Sequence, residues 1–250
     1  MRWFPANNSS RTTASRRNSG FRPLCPPEDL AYGTRRQPCE TNYYETYNRD
    51  NVTLVDLRTQ PLREITPDGI IVGNTHHDLD AIIYATGYDA VTGSIFRMNV
   101  TGRDGLSIKD HWKDGATSLM GFNTHGFPNM FAITGPMSPS ALFNIPLGIE
   151  RDGEWITDLI AYMDRNDYVR CEADAAAEEG WVKEVLDIVD HTLLTKGYSW
   201  WMGSNIAGKP KRFLVYLGGG PKFKRLVEDV AMNGYEGFNL GRLTADAGTR

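Results

Sequence analysis

A Thr-Gly pair that could bind a ligand, Thr86-Gly87 in the stretch DAIIYATGYDA, directly follows the apolar run 81–85. Such a run predicts a fully buried strand, and open α/β sheets bind ligands where their buried strands end. Glycine at that point lets a backbone come close to a cofactor or to another domain. We therefore predict a ligand-binding edge at Thr86 and Gly87. An ordinary turn after a core strand is the alternative.

Other motifs that carry chemistry are weak or absent in the sequence. It contains no G-x-G-x-x-G, no P-loop and no G-x-S-x-G nucleophile elbow. The glycine-rich stretch LGGGPKF (217–223) precedes a predicted helix, but its spacing fits neither phosphate-binding motif. His76-His77 is interpreted as an exposed loop pair, without acidic or Cys ligands at a suitable spacing, and no metal is predicted. His125 is interpreted as a hydrogen-bonded loop histidine.

The elements that must position these residues alternate between strand and helix. The stretch LREITPDGIIV predicts a hairpin whose turn is Pro67-Asp68-Gly69, with Pro fixing φ and Gly accepting a positive φ. Apolar runs predict further strands at 51–57, 80–85, 131–134 and 212–219. Strands that alternate with helices favour an α/β fold.

Three helices are predicted from apolar periodicity, at about 149–166, 175–194 and 222–233. In the first, one face combines five apolar residues: Ile149, Ile156, Leu159, Ile160 and Met163. Gly153 within this helix costs about 1 kcal/mol relative to Ala. Gly197 is the expected stop of the second helix.

Composition excludes several classes of protein. The net charge of −4 gives no indication of nucleic-acid or membrane-surface binding, and no apolar run is long enough to span a bilayer. Cys25, Cys39 and Cys171 are odd in number and widely spaced, which argues against a disulfide framework or a zinc site. We read them as reduced thiols and expect a cytoplasmic protein.

Residues 1–24 differ from the rest of the chain because they contain five arginines, several Ser, Thr and Asn, and no acidic residue. This composition predicts a disordered leader. An organellar transit peptide and a non-native start are two alternative interpretations of the same segment.

The ordered series of segments resembles the C-terminal half of class B flavin monooxygenases of the Baeyer–Villiger type. The segments are YGTRRQPCETNYYETYNRDNVTLVD, DAIIYATGYDAVTG, GRDGLSIKDHW, GFPNMFAITGPMSPSALFN, EWITDLIAYM, SWWMGSNIAGKPKRFLVYLGG and VAMNGYEGFNL. They occur in order over most of the chain, and together they are specific. The resemblance implies an incomplete α/β fold with two Rossmann-like domains, one for FAD and one for NADP, and a helical segment.

The resemblance also implies domain boundaries. Residues 25–78 would be the C-terminal remnant of the NADP-binding domain. Residues 79–250 would be the C-terminal part of the FAD-binding domain, including the helical segment.

The resemblance assigns roles to two adjacent arginines. Arg36 matches an arginine beside the flavin and would be catalytic, because a guanidinium can stabilise both the flavin C4a-peroxide anion and the tetrahedral intermediate. Arg35 stands where many relatives carry a lysine that contacts the NADP 2′-phosphate, and it can bind phosphate bidentately. A surface basic pair is the alternative from the residues alone.

Further positions are assigned in the same way. Cofactor-binding residues would be Thr86 and Gly87 on the segment linking the two domains, and Trp200 and Lys209 on a mobile segment over the nicotinamide. Ser140, Ala141 and Leu142 match the loop that lines the substrate pocket. Core packing is the alternative for Trp200 and Trp201, and an ordinary connection is the alternative for the pocket loop.

The resemblance implies an enzyme that uses FAD, NADPH and O2 to convert a ketone into an ester or lactone. Relatives are considerably longer, and their first half carries the phosphate-binding motifs that are absent here. We therefore expect both cofactor sites to be incomplete and the isolated chain to be inactive. The chain would be either a gene-model fragment or one half that needs a partner chain with the N-terminal half. A non-catalytic remnant that binds a protein partner and an N- or S-oxygenating enzyme are the alternatives.

Two glycines depart from the family pattern. Gly153 and Gly220 stand where relatives carry larger side chains. Both are expected to remove packing and to loosen a helix or its docking.

Overall fold

The computed structural model describes Thr34, Cys39 and residues 41–57, 59–139, 143–197, 199–203 and 206–243. Its described part divides into two compact units, one of residues 39–87 and one of Thr34 together with 88–243. The leader 1–24 and Cys25 lie outside the described residues. The assignment of 25–78 and 79–250 to two cofactor domains stays a prediction.

The first unit contains a short helix and one antiparallel sheet. Helix α1 is Tyr43–Thr46, and the strands in the order β1-β2-β3 are Leu62–Thr66, Gly69–Val72 and Thr75–Asp78. The predicted hairpin at 62–72 is confirmed, because Thr66 pairs with Gly69 across the turn Pro67-Asp68.

Gly69 serves this sheet in a different way from the one predicted. It is absent from the residues with positive φ, and it lies in β2. A Cβ at Gly69 would lie 2.0 Å from the carbonyl oxygen of His77 on β3. The glycine is therefore required by the close approach of the neighbouring strand.

Two predicted strands of this unit do not form. Residues 51–57 and 80–85 contain no strand, and all of 80–88 is exposed. Ile83 is 91% exposed and Tyr84 is 66% exposed. An apolar strand is buried only when neighbouring strands and a covering layer exist, and among the described residues none forms a backbone hydrogen bond to 80–87.

The second unit is mainly helical. Its helices are α2 Gly93–Arg97, α3 Ile108–His111, α4 Ile145–Arg165, α5 Ala175–Asp190 and α6 Gly220–Met232. Strands β4 Arg170–Ala173 and β5 Phe238–Gly241 pair antiparallel, and 3₁₀ turns cover Arg103–Gly105, Leu194–Lys196 and Trp200–Met202. In the described part of the chain, no helix combines the length and apolar character required to cross a membrane.

The three long helices confirm the periodicity predictions, but with shifted ends. Helix α4 begins at Ile145, earlier than predicted, with a proline in its first turn. Helix α5 ends at Asp190 rather than at 194, so Gly197 does not stop it; Gly197 ends the 3₁₀ turn Leu194–Lys196 instead. Helix α6 begins at Gly220.

The buried face of α4 agrees only in part with the predicted face, because Leu159 and Met163 are buried and Ile156 packs against the core, whereas the other two predicted residues do not. Ile149 and Ile160 are 46% and 52% exposed. Trp155 is buried instead and stacks on Phe122 with ring centroids 4.2 Å apart. The buried residues of the helix are Gly148, Asp152, Trp155, Leu159 and Met163.

The predictions of strands at 131–134 and 212–219 are also wrong. Residues 131–134 form no strand, and Thr134 has a positive φ of 50°. Residues 213–216 are buried and extended, but their only ladder contact within the described chain is an isolated bridge between Val215 and Ser138. Segment 213–216 is buried within the second unit, whereas 131–134 is only partly buried, with Ile133 48% exposed.

Candidate functional site

Thr34 anchors the chain just before the two predicted cofactor arginines. It is 2% exposed, and a Cβ at Gly197 would lie 2.3 Å from the Cβ of Thr34. Gly197 has ordinary extended angles (φ −99°, ψ 146°), so this position requires a small side chain rather than an unusual conformation. Thr34, which precedes Arg35 and Arg36 in sequence, therefore packs against Gly197. Gly197 in turn lies three residues before Trp200 in the chain. Arg35 and Arg36 themselves lie outside the described residues.

Trp200 and Trp201 lie on one 3₁₀ turn but in different environments. Trp201 is 2% exposed and packs edge to face on Phe213, with ring centroids 6.3 Å apart. Trp200 is half-buried, and its ring centroid is 5.8 Å from that of Trp201. Trp201 is thus a core residue, whereas the ring of Trp200 retains a surface that a ligand can reach.

The ammonium group of Lys209 is bound by groups of the protein. Its Nζ lies 2.5 Å from Oδ1 of Asp89 and donates to the carbonyl oxygen of Ala90 at 3.0 Å. The side chain of Lys209 is only 8% exposed. Sequence reasoning missed Asp89, because the pair is separated by 120 positions and no spacing rule connects them.

Thr86 and Gly87 belong to the exposed segment of the first unit. Gly87 has a φ of 81°, and a Cβ placed there would meet nothing within 4 Å. The glycine is therefore explained by its backbone conformation, which other residues rarely adopt, and its surroundings are open.

The predicted pocket loop, Ser140, Ala141 and Leu142, lies outside the described residues. The segment that leads into it is held by one partly buried and one buried hydrogen bond. Thr134 donates its backbone N–H to Oδ2 of Asp152 at 2.9 Å, and Ser138 Oγ donates to the Gly135 carbonyl at 2.7 Å. Asp152 is fully buried and also accepts from Arg151. Sequence reasoning missed Asp152; the only signal for it was an acidic residue one turn before the predicted inward-facing Ile156.

The structure confirms the prediction that His125 is a hydrogen-bonded loop histidine. Its Nδ1 lies 3.0 Å from the carbonyl oxygen of Ala173, and its backbone N–H donates to the Glu178 carboxylate at 2.7 Å. Nearby, the buried Glu172 accepts from Arg103 at 2.7 Å. Burial lowers the pKa of the neighbouring His111. These contacts tie loop 125–126 to β4 and α5 and serve packing.

His76 lies on strand β3 and not in a loop, and acidic side chains do approach it. Its Nε2 is 3.3 Å from Oδ1 of Asp68, and its Nδ1 is 3.1 Å from Oδ1 of Asp78. A hydrogen bond from Thr66 is the main cause that lowers the pKa of Asp68. The expectation that no acidic group stands nearby is therefore wrong, because hairpin pairing places the groups together. The three exposed side chains offer ligand atoms within 4.8 Å of one another, but the two carboxylates face opposite ring nitrogens.

Comparison with known proteins gives strong matches in sequence. No protein-family model matches the chain. The 2-oxo-Δ3-4,5,5-trimethylcyclopentenylacetyl-CoA monooxygenase of Pseudomonas putida is 42% identical over 219 residues, covering 86% of this chain and 40% of the relative. A Baeyer–Villiger monooxygenase of Pseudooceanicola batsensis is 40% identical, covering 84% and 38%. The phenazine N-monooxygenase of Lysobacter antibioticus is 40% identical, covering 88% and 40%.

Solved structures agree with these matches. The OTEMO complex with FAD and NADP has a TM-score of 0.80 and 39% identity, covering 93% of this chain and 44% of that chain. A closed crystal structure of cyclohexanone monooxygenase has a TM-score of 0.79 and 41% identity, covering 84% and 39%. The chain thus spans about 40% of the length of the curated relatives it matches.

The fold and these matches define the class of the chain. It matches part of the flavin-dependent monooxygenases, and its mixture of helices and strands is consistent with an incomplete Rossmann-like fold, as expected from the sequence. More narrowly, it is homologous to part of the Baeyer–Villiger monooxygenases, which confirms the resemblance noted in the sequence.

Proposed function

We propose that this chain supplies part of an FAD- and NADPH-dependent Baeyer–Villiger monooxygenase that converts a ketone into an ester or lactone with O2. The homology to such enzymes supports this function. The observation that carries the proposal is the packing of Thr34 against Gly197, because Thr34 directly precedes the arginine pair in sequence and Gly197 lies three residues before Trp200.

Two described residues, each within its own compact unit, suit contact with a cofactor. Trp200 of the second unit offers a half-buried aromatic ring. Gly87 of the first unit offers an open backbone in a conformation that suits glycine. FAD and NADPH would together supply the activation of O2. In this proposal Arg36 stabilises negative charge that develops on the ketone oxygen, since a guanidinium stays charged and offers several donors. Arg35 binds the NADP 2′-phosphate.

The remaining predicted residues keep their roles in this proposal. Thr86 and Gly87 lie along the cofactors, and Lys209 belongs to the segment beside the nicotinamide. Ser140, Ala141 and Leu142 line the ketone pocket. A cytoplasmic location is consistent with Cys39 and Cys171, which are free thiols.

The exposed segment 80–88 supports a requirement for further polypeptide. Its apolar side chains face solvent, and the part of the backbone at 80–87 has no hydrogen-bonded partner among the described residues. In a complete enzyme, we propose, this segment becomes a strand between neighbours that belong to the N-terminal part of the fold. That part is present in the longer relatives, of which this chain spans about 40%.

The visible absorption spectrum of the purified chain tests the proposal. We expect a colourless protein that gains flavin bands only when it is co-expressed with the N-terminal remainder of a relative such as cyclohexanone monooxygenase. The assembled protein should oxidise NADPH faster when cyclohexanone is added. R36A should abolish lactone formation, with R36K as the charge-preserving control. A flavin-free assembly, or an R36A variant with full activity, would contradict the proposal.

N-oxygenation is a second candidate, because the phenazine N-monooxygenase is 40% identical over 220 residues. The same assembled protein should then consume NADPH with phenazine and not with cyclohexanone. An S-oxygenation assay with a thioether follows the same design. If no substrate is oxidised and the chain still binds the N-terminal partner, the non-catalytic alternative is favoured.

A further inference from the structure

Lys209 carries a buried charge whose partners come from a distant part of the sequence. Its ammonium lies between the Asp89 carboxylate at 2.5 Å and the Ala90 carbonyl at 3.0 Å. We propose that Lys209 is a positioning residue for Trp200, which it fixes through its ion pair with Asp89. The proposal deepens the function above because Trp200 belongs to the same candidate site.

The ion pair is partly buried, which strengthens the attraction between its two charges. The Lys209 side chain is 8% exposed and that of Asp89 is 31% exposed. Salt screens such a partly buried pair much less than an exposed pair. Removing one partner would leave the other charge in a poorly hydrated position, which is unfavourable.

Two glycines make room for the two ends of the pair. A Cβ at Gly93 would lie 2.6 Å from both Cβ and Cγ of Asp89. At the other end, a Cβ at Gly203 would lie 3.4 Å from Cγ and Cδ of Lys209, so the lysine stem packs on this glycine.

Gly203 connects the lysine to the tryptophan turn. It follows Trp200–Met202 directly, has a φ of 67°, and donates its N–H to the Trp200 carbonyl at 3.0 Å. The Trp201 carbonyl accepts from Leu214 at 2.9 Å. The contacts thus run from Asp89 through Lys209 and Gly203 to the turn.

Amide hydrogen exchange tests this proposal without any cofactor, so failure of the proposed enzymatic function would leave the test intact. The amides of Gly203 and Leu214 report on opening of the Trp200 turn. In K209M their exchange should accelerate about tenfold, while that of Val185 in α5 stays unchanged. K209R should restore slow exchange, because it keeps the charge.

K183M is the matched control, since Lys183 forms an exposed ion pair with Asp187 at 2.6 Å. It should leave the Gly203 and Leu214 amides unchanged. If K209M unfolds the whole second unit, G93A decides, because it crowds Asp89 without removing a charge. Accelerated exchange at Gly203 and Leu214 in G93A would support the proposal. The proposal is overturned if exchange of the Gly203 and Leu214 amides in K209M stays within twofold of the unsubstituted chain. Where K209M unfolds the second unit, the same limit applies to G93A.

Discussion

Gly197 is the residue that leaves room for Thr34, which directly precedes the arginine pair in sequence. A Cβ at this position would lie 2.3 Å from the Thr34 Cβ, and forcing extra volume into a packed site costs about 1–3 kcal/mol. We expect G197A to lower the free energy of unfolding by that amount in a urea titration. G180A is the control, because a Cβ at Gly180 inside α5 meets nothing within 4 Å, and it should raise the free energy of unfolding by about 0.5–1 kcal/mol. Equal unfolding midpoints for the two variants would contradict the contact.

Cys171 and Cys39 differ in burial, and their thiols should differ in reactivity. Burial raises the pKa of the Cys171 thiol from 9.0 to about 12, whereas Cys39 is exposed. The thiolate is the reactive form. In the variant C25S/C39S, we expect no labelling by a thiol reagent at pH 8 in the folded protein and one equivalent after denaturation.

The same pKa shift predicts how stability depends on pH. A raised pKa means that the folded state favours the protonated thiol. The contribution of Cys171 to stability is therefore fully present below pH 9 and is lost as pH rises toward about 12. C171A should remove this part of the alkaline loss, measured by urea unfolding at several pH values. An identical pH profile in C171A would contradict the assignment.

At the scale of elements, the two glycines that depart from the family pattern behave differently. Gly153 in α4 has open space around it, as expected, but at Gly220 a Cβ would lie 2.4 Å from the Phe143 ring. Glycine inside a helix is less stable than Ala by about 0.5–1 kcal/mol. We expect G153A to raise the free energy of unfolding by about that amount, and G220A to lower it. A destabilised G153A would show that α4 needs the glycine.

Local signals predicted the elements that form from local interactions. The Pro67-Asp68 turn placed the hairpin, and apolar periodicity placed α4, α5 and α6 to within a few residues at most ends. Tertiary contacts decided the rest. Trp155, which stacks on Phe122, is buried on α4, whereas the predicted Ile149 and Ile160 are exposed.

The candidate site shows the same division. The residues on the segment around Trp200 were found through resemblance, whereas their supports, Thr34 and Asp89, were not. Thr34 contacts Gly197, and Asp89 contacts Lys209. The two residues of each pair are far apart in sequence, and such contacts leave no periodic pattern. Sequence patterns therefore gave a prediction of which residues bear the chemistry, but no prediction of the residues packed against them.

At the scale of the whole molecule, segment 80–88 presents its apolar side chains to solvent. Ile83 is 91% exposed, and exposed apolar segments with unpaired backbone groups favour association with other chains. We expect I83K to reduce aggregation of the isolated chain, measured by light scattering. Its unfolding free energy should change by less than about 0.5 kcal/mol, because surface substitutions rarely do more.

The same substitution should be harmful once the segment becomes a buried strand. Co-expressed with the N-terminal remainder of a relative, I83K should incorporate much less flavin than the unsubstituted chain, since a lysine would be buried without a partner. M232K is the control, because Met232 is 75% exposed at the end of α6, and it should leave flavin content unchanged. If I83K and the unsubstituted chain assemble equally well, segment 80–88 is not the surface that receives the missing strands.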